Sequence, residues 1–352
     1  MMGPYGLYQH ATVREPLLSE GYCLDDNTRA VQTLLGLQRH SAPEDQAVIE
    51  DLLERCWNFI MAAQEQPGRY YNFQSSDGEW LPHGRSDDMY ARLFRVVLTV
   101  MNEDQNLNRR RQAEQILKEL LPILKELTSP RALAEIAIAV NHAAPAQREQ
   151  WELTTFRDRA LKELTSLWQT NADGDWRWFE SRLTYANAFL PHALLGEGAS
   201  LPQSETEAML HEATKFLITA TMENTTFVPI GSNGWYDKGG TPSRDNQQPI
   251  EAGTMLDFLL EYQAAFPKEV PREVVAAPYV WFFGKNTNAI VMADETSGAC
   301  LDGIFRHGPN PNCGAESMLA YLWAEVRLAE APPEIRDYAY SERAKLLRQK
   351  TA

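Results

Sequence analysis

The sequence predicts a mostly helical fold, in which antiparallel helix hairpins follow one another and can close into a ring. Apolar residues recur at helical spacing in ten segments, candidate strands are few and short, and most loops are short. A short loop forces the next helix to run antiparallel to the previous one. The helical segments are residues 29–37, 47–63, 89–101, 111–127, 132–140, 150–168, 188–195, 205–222, 252–265 and 315–329. The candidate strands are residues 70–73, 176–179, 280–283 and 289–292.

Two of these helices open on a pair of aspartates. Asp25-Asp26 precedes the first helical segment, and Asp87-Asp88 precedes the third. Carboxylates are favoured at a helix N-terminus because they accept hydrogen bonds from free N–H groups and interact with the positive end of the helix dipole. Capping alone therefore explains each pair as well as a function does. The repetition favours a function, since equivalent helix ends in a ring face a common cavity.

The composition is that of a large packed protein. The chain has 352 residues, of which 44% are hydrophobic and 23% charged, and it contains nine tryptophans. The net charge of -15 argues against nucleic acid or an anionic membrane as partner, because both require clustered Lys and Arg, so we expect a neutral substrate. No change of composition divides the chain. We expect a single domain over residues 1–352, with a floppy polar tail after about residue 332.

The cysteines and the apolar runs exclude several classes of protein. Four cysteines without C-x-x-C spacing predict buried free thiols, not a metal site or a redox dithiol. No apolar run approaches the ~20 residues of a membrane span, and no leader pattern opens the chain, so we expect a soluble cytoplasmic protein. The H-E-x-x-H, G-x-S-x-G, P-loop and dinucleotide motifs are absent, so we expect no metal and no cofactor.

Carboxylates, aromatic rings and amides concentrate in four segments punctuated by Gly and Pro, at residues 21–31, 173–195, 227–252 and 296–317. Trp and Tyr offer flat apolar faces with one polar edge, Asn and Gln offer donors and acceptors, and Asp and Glu can move protons. This is the chemistry of a carbohydrate pocket.

The motifs of these segments resemble those of a known family. They include GYCLDDNTRAV, SDDMYAR, WRWFESRLTYANAFLPHALL, FVPIGSNGWY, QQPIEA, TSGACLDG and NCGAES, in this order, within residues 3–330. The chain is thus similar to a bacterial family of six-hairpin glycosidase-like proteins, often encoded beside or fused to glycosyltransferases and near mannoside phosphorylases. The resemblance implies an (α/α)6 toroid with short β decorations, a carbohydrate substrate such as a mannoside, and association with a glycosyltransferase. The chain departs from the family pattern at Asp87, where Glu is more common, and around Asp245, which therefore ranks below Glu251.

Glycoside hydrolysis requires two carboxyl groups, one protonated to assist the leaving oxygen and one ionised to activate water or attack carbon. Glu180 is the expected acid, because Trp176, Trp178 and Phe179 precede it and an apolar surround raises the pKa of a carboxyl group. Four further acids compete for the role of base: Asp25, Asp26, Asp88 and Glu251. We expect all five to converge on one cavity. By analogy with most six-hairpin glycosidases, we expect inversion, with a carboxyl separation of ~6.5–9.5 Å.

Other polar and aromatic residues of these segments, together with His10, are candidates for sugar binding. Aromatic rings stack on pyranose faces and amides pair with hydroxyl groups, although some of these rings belong to the core. Asp302 and Glu316 lie beside turns or helix starts and are expected to be structural. The candidate binding residues are His10, Trp176, Trp178, Tyr185, Asn187, Trp235, Gln247, Gln248 and Asn312.

Three function classes remain open. The first is a glycoside hydrolase acting on an oligosaccharide or polysaccharide. It is the leading candidate because acids outnumber histidines in the four segments punctuated by Gly and Pro. The second is a sugar epimerase or isomerase, in which His10 and His192 transfer the proton next to a carbonyl group. The third is a non-catalytic carbohydrate-binding partner of a glycosyltransferase.

Overall fold

The computed structural model describes residues 1–196 and 203–351, and these residues are mostly helical, as predicted. None of the helices in this part of the chain is long and apolar enough to cross a membrane. The helices are α1 (Leu24–His40), α2 (Gln46–Ala62), α3 (Asp87–Glu103), α4 (Leu107–Leu124), α5 (Pro130–His142), α6 (Pro145–Gln150), α7 (Leu153–Asn171), α8 (Phe189–His192), α9 (Gln203–Thr221), α10 (Pro249–Ala265), α11 (Arg272–Trp281), α12 (Ala315–Ala329) and α13 (Pro333–Thr351).

The strands are only two or three residues long and lie between the helices, as expected of decorations on a helical body. Each sheet has two strands, except for the antiparallel sheet β3-β6-β7. The strands are β1 (Ala11–Thr12), β2 (Glu15–Pro16), β3 (Tyr22–Cys23), β4 (Gln64–Gln66), β5 (Arg69–Tyr70), β6 (Phe73–Gln74), β7 (Trp80–Leu81), β8 (Arg182–Leu183), β9 (Met222–Glu223), β10 (Thr226–Phe227), β11 (Tyr236–Asp237), β12 (Gly303–Phe305) and β13 (Gly308–Asn310).

The chain falls into two compact units. Unit 1 comprises Met1–Ala11, Glu15–Leu164 and Gly196–Gln203, and unit 2 comprises Thr12–Arg14, Thr165–Leu195 and Ser204–Ala352. Helix α7 begins in unit 1 and ends in unit 2. The single domain over residues 1–352 stays a prediction.

In unit 1, helices α2, α4 and α5 pack around α1 and α3. Helix α1 packs against α2 and α3, and α3 also packs against α4 and α5. Proline at the first position starts α5, where its missing N–H costs nothing. Helix α5 is buried on nearly all of its surface, yet it carries Arg131 and Glu135 among its apolar residues. Buried charges require partners, so these two residues mark a polar site inside unit 1.

Unit 2 is built around α10, which is buried along most of its length and packs against α11 and α12. The approach to α12 is close, because a Cβ atom on Gly253 would lie 2.9 Å from the backbone oxygen of Ala320. Proline at the first position also starts α10. Glu251 lies in the first turn of this helix.

Several local predictions are wrong. Residues 176–179 and 289–292 form no strand and take part only in isolated β-bridges, at Trp176 and Val291. Residues 280–283 lie at the end of helix α11 and beyond it instead of forming a strand, because a short apolar run does not distinguish a strand from a buried helix. The segment after residue 332 is not floppy but forms α13, which packs against α11. Ile335 and Ala339 are buried on α13, and Arg343 donates a hydrogen bond to the hydroxyl group of Tyr279 on α11 (2.7 Å).

Candidate functional site

The aspartate pairs at the starts of α1 and α3 do not cap their own helices. Cys23 is the N-cap of α1, where its Sγ accepts from the backbone N–H of Asp26, and Ser86 is the N-cap of α3. The four aspartates lie one to three residues further on, in the first turns of the two helices. Their side chains contact other groups of unit 1, so helix capping does not account for them.

Asp25 is held by a cation and an amide. The guanidinium group of Arg92 on α3 donates to Asp25 Oδ1, and Asn72 Nδ2 donates to Oδ2 at 3.1 Å. Burial acts to raise the pKa of Asp25, but the positive charges of Arg92 and Arg29 and the hydrogen bond from Asn72 hold that pKa below its ordinary value. Asp25 is therefore ionised at neutral pH, while 20% of its side chain remains exposed.

Asp26 points to a neighbouring set of partners. Arg29 donates to Asp26 Oδ1 at 2.8 Å, and the thiol of Cys23 donates to Oδ2 at 3.0 Å. The Asp26 side chain is 7% exposed. Burial raises the pKa of Cys23 well above its ordinary value, and the charges of Asp26 and Asp25 add to this effect. The thiol stays protonated and serves Asp26 as a donor. All four cysteines are buried free thiols, as predicted.

Glu135 is a functional candidate that the sequence analysis missed. Its carboxyl group lies 3.9 Å from Arg92 Nε and 3.8 Å from Arg95 on α3, and its side chain is only 4% exposed. Burial raises the pKa of Glu135, and the charge of Asp88 adds to this, against the lowering effect of Arg92 and Arg95. A single acid within the apolar segment 132–140 was the available signal, since a buried carboxyl group requires partners.

The two residues of the second aspartate pair have different contacts: Asp87 binds a loop, and Asp88 lies near Glu135. Asp87 Oδ2 accepts from the backbone N–H groups of Thr128 (2.6 Å) and Ser129 (2.8 Å), so Asp87 anchors the loop that leads into α5. Asp88 Oδ1 accepts from the hydroxyl group of Ser129 at 2.9 Å. Unit 1 thus brings together three of the five predicted acids. The charged residues of this site are Asp25, Asp26, Arg29, Asp88, Arg92, Arg95 and Glu135.

The carboxyl group of Glu251 in unit 2 accepts hydrogen bonds from the loop before α8. The backbone N–H of Ala186 donates to Glu251 Oε1, and Asn187 Nδ2 donates to Oε2 at 3.1 Å. Glu251 and Asn187 are both buried. The structure therefore brings together two residues that the sequence assigned separately to catalysis and to sugar binding.

Glu180 is half-buried in unit 2, close to the two tryptophans that precede it. The indole N–H of Trp176 donates to the backbone oxygen of Glu180 at 2.8 Å. Trp178 is fully buried and packs on Phe179 and Phe216, while Trp176 is 6% exposed and packs edge-on against Phe216. A sugar cannot stack on a ring that the core covers, so we correct the assignment of both tryptophans to core residues.

The other predicted platforms keep more of their surface. Tyr185 is 39% exposed, and Trp235 is half-buried with a positive φ of 55°. The amides differ: Gln247 is buried and donates to Thr287 Oγ1 at 3.0 Å, whereas Gln248 is half-buried at the N-cap of α10. Asn312 accepts from the backbone N–H of Val13 at 2.9 Å.

The two predicted histidines occupy unlike environments. His10 of unit 1 is exposed, whereas His192 of unit 2 is 1% exposed and its Nε2 lies 2.9 Å from Glu261. Glu261 is ten residues beyond Glu251 on α10, which corresponds to about 15 Å along a helix. Arg327, near the end of α12, donates to Glu261 at 2.9 Å. His192 therefore belongs to an ionic cluster at the opposite end of α10 from Glu251.

Asp302 makes a backbone contact of the kind expected of a structural residue. Its Oδ1 accepts from the backbone N–H of Gly314 at 2.7 Å, just before α12 begins. The hydrogen bond therefore closes the loop between β12 and α12.

The sequence matches no protein-family model and no curated protein. The solved structures that are similar to the chain include the following three. A cellobiose 2-epimerase from Spirochaeta thermophila is 13% identical over 100% of this chain and 92% of its own, with a TM-score of 0.64. A D-mannose isomerase is 13% identical over 92% and 93% of the two chains, with a TM-score of 0.63. The GH76 α-mannanase of Bacteroides thetaiotaomicron is 10% identical over 90% and 86%, with a TM-score of 0.58.

At 10–13% sequence identity, similarity to a solved structure shows a shared fold. The similar structures include epimerases, an isomerase and hydrolases, all of them carbohydrate enzymes. Their shared fold class is the (α/α)6 toroid of the six-hairpin glycosidase superfamily. The chain has this fold, and the predicted fold class is confirmed.

Proposed function

We propose that the protein is a carbohydrate-active enzyme, and specifically a glycoside hydrolase that uses a pair of carboxyl groups. One observation in unit 1 carries this proposal: Asp25 and Glu135 contact the same guanidinium group of Arg92, and their pKa values are shifted in opposite directions. Acid and base roles on one site require titratable groups whose environments separate their pKa values.

The two carboxyl groups have complementary roles in an inverting reaction. Ionised Asp25 accepts a proton from a water molecule as its oxygen attacks the anomeric carbon, and protonated Glu135 donates a proton to the departing glycosidic oxygen. The cycle leaves Asp25 protonated and Glu135 ionised, and exchange with solvent restores both. Sharing one guanidinium group is compatible with the ~6.5–9.5 Å separation of an inverting pair.

Glu180, the general acid expected from the sequence, is the alternative to Glu135. It belongs to unit 2, and the aromatic residues that precede it favoured this role. Replacing each glutamate separately distinguishes the two assignments.

A mannoside is the substrate class that we place first. The similarity to a family encoded near mannoside phosphorylases suggested it, and the fold neighbours include an α-mannanase and a D-mannose isomerase. Association with a glycosyltransferase stays a prediction, which co-purification of the two proteins would test.

The decisive experiment is a panel of α- and β-linked manno-, gluco- and galacto-oligosaccharides analysed for new reducing ends. We expect cleavage of at least one mannoside, and loss of this cleavage in Asp25→Asn. Binding without new reducing ends would contradict the hydrolase and favour a non-catalytic carbohydrate-binding protein.

A sugar epimerase or isomerase is the second candidate, because the epimerase and isomerase structures have higher TM-scores than the α-mannanase. His192, one of the two histidines that this candidate requires, is buried, and its Nε2 lies 2.9 Å from Glu261. Incubation with mannose, glucose and cellobiose, followed by NMR of the products, tests this candidate. Interconversion without cleavage would replace the hydrolase by an epimerase.

A further inference from the structure

The loop before α8 holds an aromatic side chain between two anchored residues. Asn187 is buried, its Oδ1 accepts from the backbone N–H of Thr184 (3.0 Å), and its Nδ2 donates to the backbone oxygen of Thr184 (2.6 Å). Ala186 is also buried and has a φ of 44°, which non-glycine residues rarely adopt. Tyr185 lies between Thr184, which Asn187 anchors, and Ala186, and it is 39% exposed.

Glu251 connects this loop to α10. One carboxylate oxygen accepts from the backbone N–H of Ala186, and the other accepts from the side chain of Asn187. Donors on the loop thus bind both oxygens of a buried carboxylate, and the hydrogen bond to Ala186 falls on the residue with the unfavourable φ. Because Glu251 lies in the first turn of a buried helix, its position is rigid. The carboxylate stabilises one conformation of residues 184–187.

We infer that Glu251 is a positioning residue, and that it holds Tyr185 as a stacking platform for a pyranose ring of an oligosaccharide. The inference rests on the proposed carbohydrate substrate and assigns Glu251 a role other than the general base considered from the sequence. Tyr185 is 39% exposed and combines an aromatic ring with a hydroxyl group, which suits a sugar with an apolar face and polar rim groups. Ordering the loop before binding removes the entropy cost of ordering it on binding.

The test measures binding and turnover separately. Mannotetraose and cellotetraose are titrated into the wild-type protein and into Tyr185→Ala, Tyr185→Phe and Glu251→Gln by calorimetry. Tyr338→Ala, which removes a half-buried ring from α13 in the same unit, serves as the control. We expect roughly 10-fold weaker binding in Tyr185→Ala, near wild-type binding in Tyr185→Phe and in the control, and weaker binding in Glu251→Gln.

A positioning role also predicts a particular kinetic pattern. Glu251→Gln is expected to raise KM more than it lowers kcat, with faster amide hydrogen exchange at Ala186 and Asn187. Loss of a general base would instead lower kcat ~100-fold or more with little change in KM, and that result would overturn the inference. Unchanged binding in Tyr185→Ala would overturn it as well.

These outcomes separate the inference from the proposed hydrolase. Binding that depends on Tyr185 without any cleavage would leave the platform in place and contradict the hydrolase. Cleavage that is unchanged in Tyr185→Ala would support the hydrolase and contradict the platform. Absence of binding to both tetrasaccharides by the wild-type protein would overturn the platform as stated.

Discussion

Asp25 and Glu135 contact one guanidinium group, that of Arg92, although α1 and α5 contribute them from distant parts of the chain. The pKa of Asp25 lies below its ordinary value and that of Glu135 above it. The difference arises because Asn72 and Arg92 both donate to Asp25, whereas Glu135 is more deeply buried and near the charge of Asp88. Four predictions test what this arrangement does.

Asp25→Asn should remove the general base. The amide keeps the size of the side chain but cannot accept the proton from water, so we expect kcat to fall by about 100-fold or more. The measurement is the release of reducing ends from the cleaved mannoside. Asp51→Asn, on the exposed surface of α2, is the matched control and should retain full activity. Equal activity of the two variants would exclude Asp25 as the base.

Glu135→Gln should remove the general acid. We expect turnover of an unactivated oligosaccharide to fall by about 100-fold, with a much smaller loss on an aryl glycoside whose leaving group needs little protonation. Glu180→Gln is assayed in parallel on both substrates. If Glu180→Gln alone shows the selective loss, the acid is Glu180 and the pairing of Asp25 with Glu135 is wrong.

Arg92→Met should move the pH profile of kcat/KM to higher pH. The positive charge of Arg92 lowers the pKa of both Asp25 and Glu135, so its removal raises both. The acid limb, where Asp25 becomes protonated, and the basic limb, where Glu135 loses its proton, then both shift upward. Arg92→Lys retains the charge and should shift the profile less. A profile that is identical in Arg92→Met and wild type would show that neither limb reports these carboxyl groups.

The stability of the protein should respond to Glu135 and Asp25 with opposite signs. Glu135 has a raised pKa in the folded state, so its contribution is fully present below its ordinary value of 4.5 and is lost as the pH rises through the folded pKa. Asp25 has a lowered pKa, so its contribution is present above its ordinary value of 3.8 and is lost as the pH falls through the folded pKa.

Thermal unfolding of Glu135→Gln and of wild type, measured between pH 4 and 7, tests the prediction for Glu135. The quantity compared is the difference in Tm between the two proteins at each pH. Wild type should lose stability relative to Glu135→Gln as the pH rises. Asp25→Asn should show the reverse when the measurement is extended below pH 3.8, since wild type loses its advantage as the pH falls through the lowered pKa of Asp25. A pH-independent difference in Tm for either variant would contradict the corresponding pKa shift.

Local sequence patterns determined the helices and the places where chemistry concentrates. Helical periodicity predicted α1, α3 and α10, and the acids Asp25, Asp88 and Glu251 lie in their first turns. These features depend on residues within one or two helical turns, which a single sequence displays directly. The similar motifs and their order predicted the fold class, which the likeness to solved structures confirms.

Tertiary structure alone decided the partners and the burial. Arg92 lies 67 residues from Asp25, and Glu251 lies 64 residues from Asn187, so no local pattern predicts that either pair meets. The burial of Trp178, the helix at the end of the chain and the direction in which the pKa of each acid is shifted also depend on which surfaces pack together. Packing brings distant residues into contact and removes them from water, and both effects change the pKa of a carboxyl group far more than its sequence neighbours do.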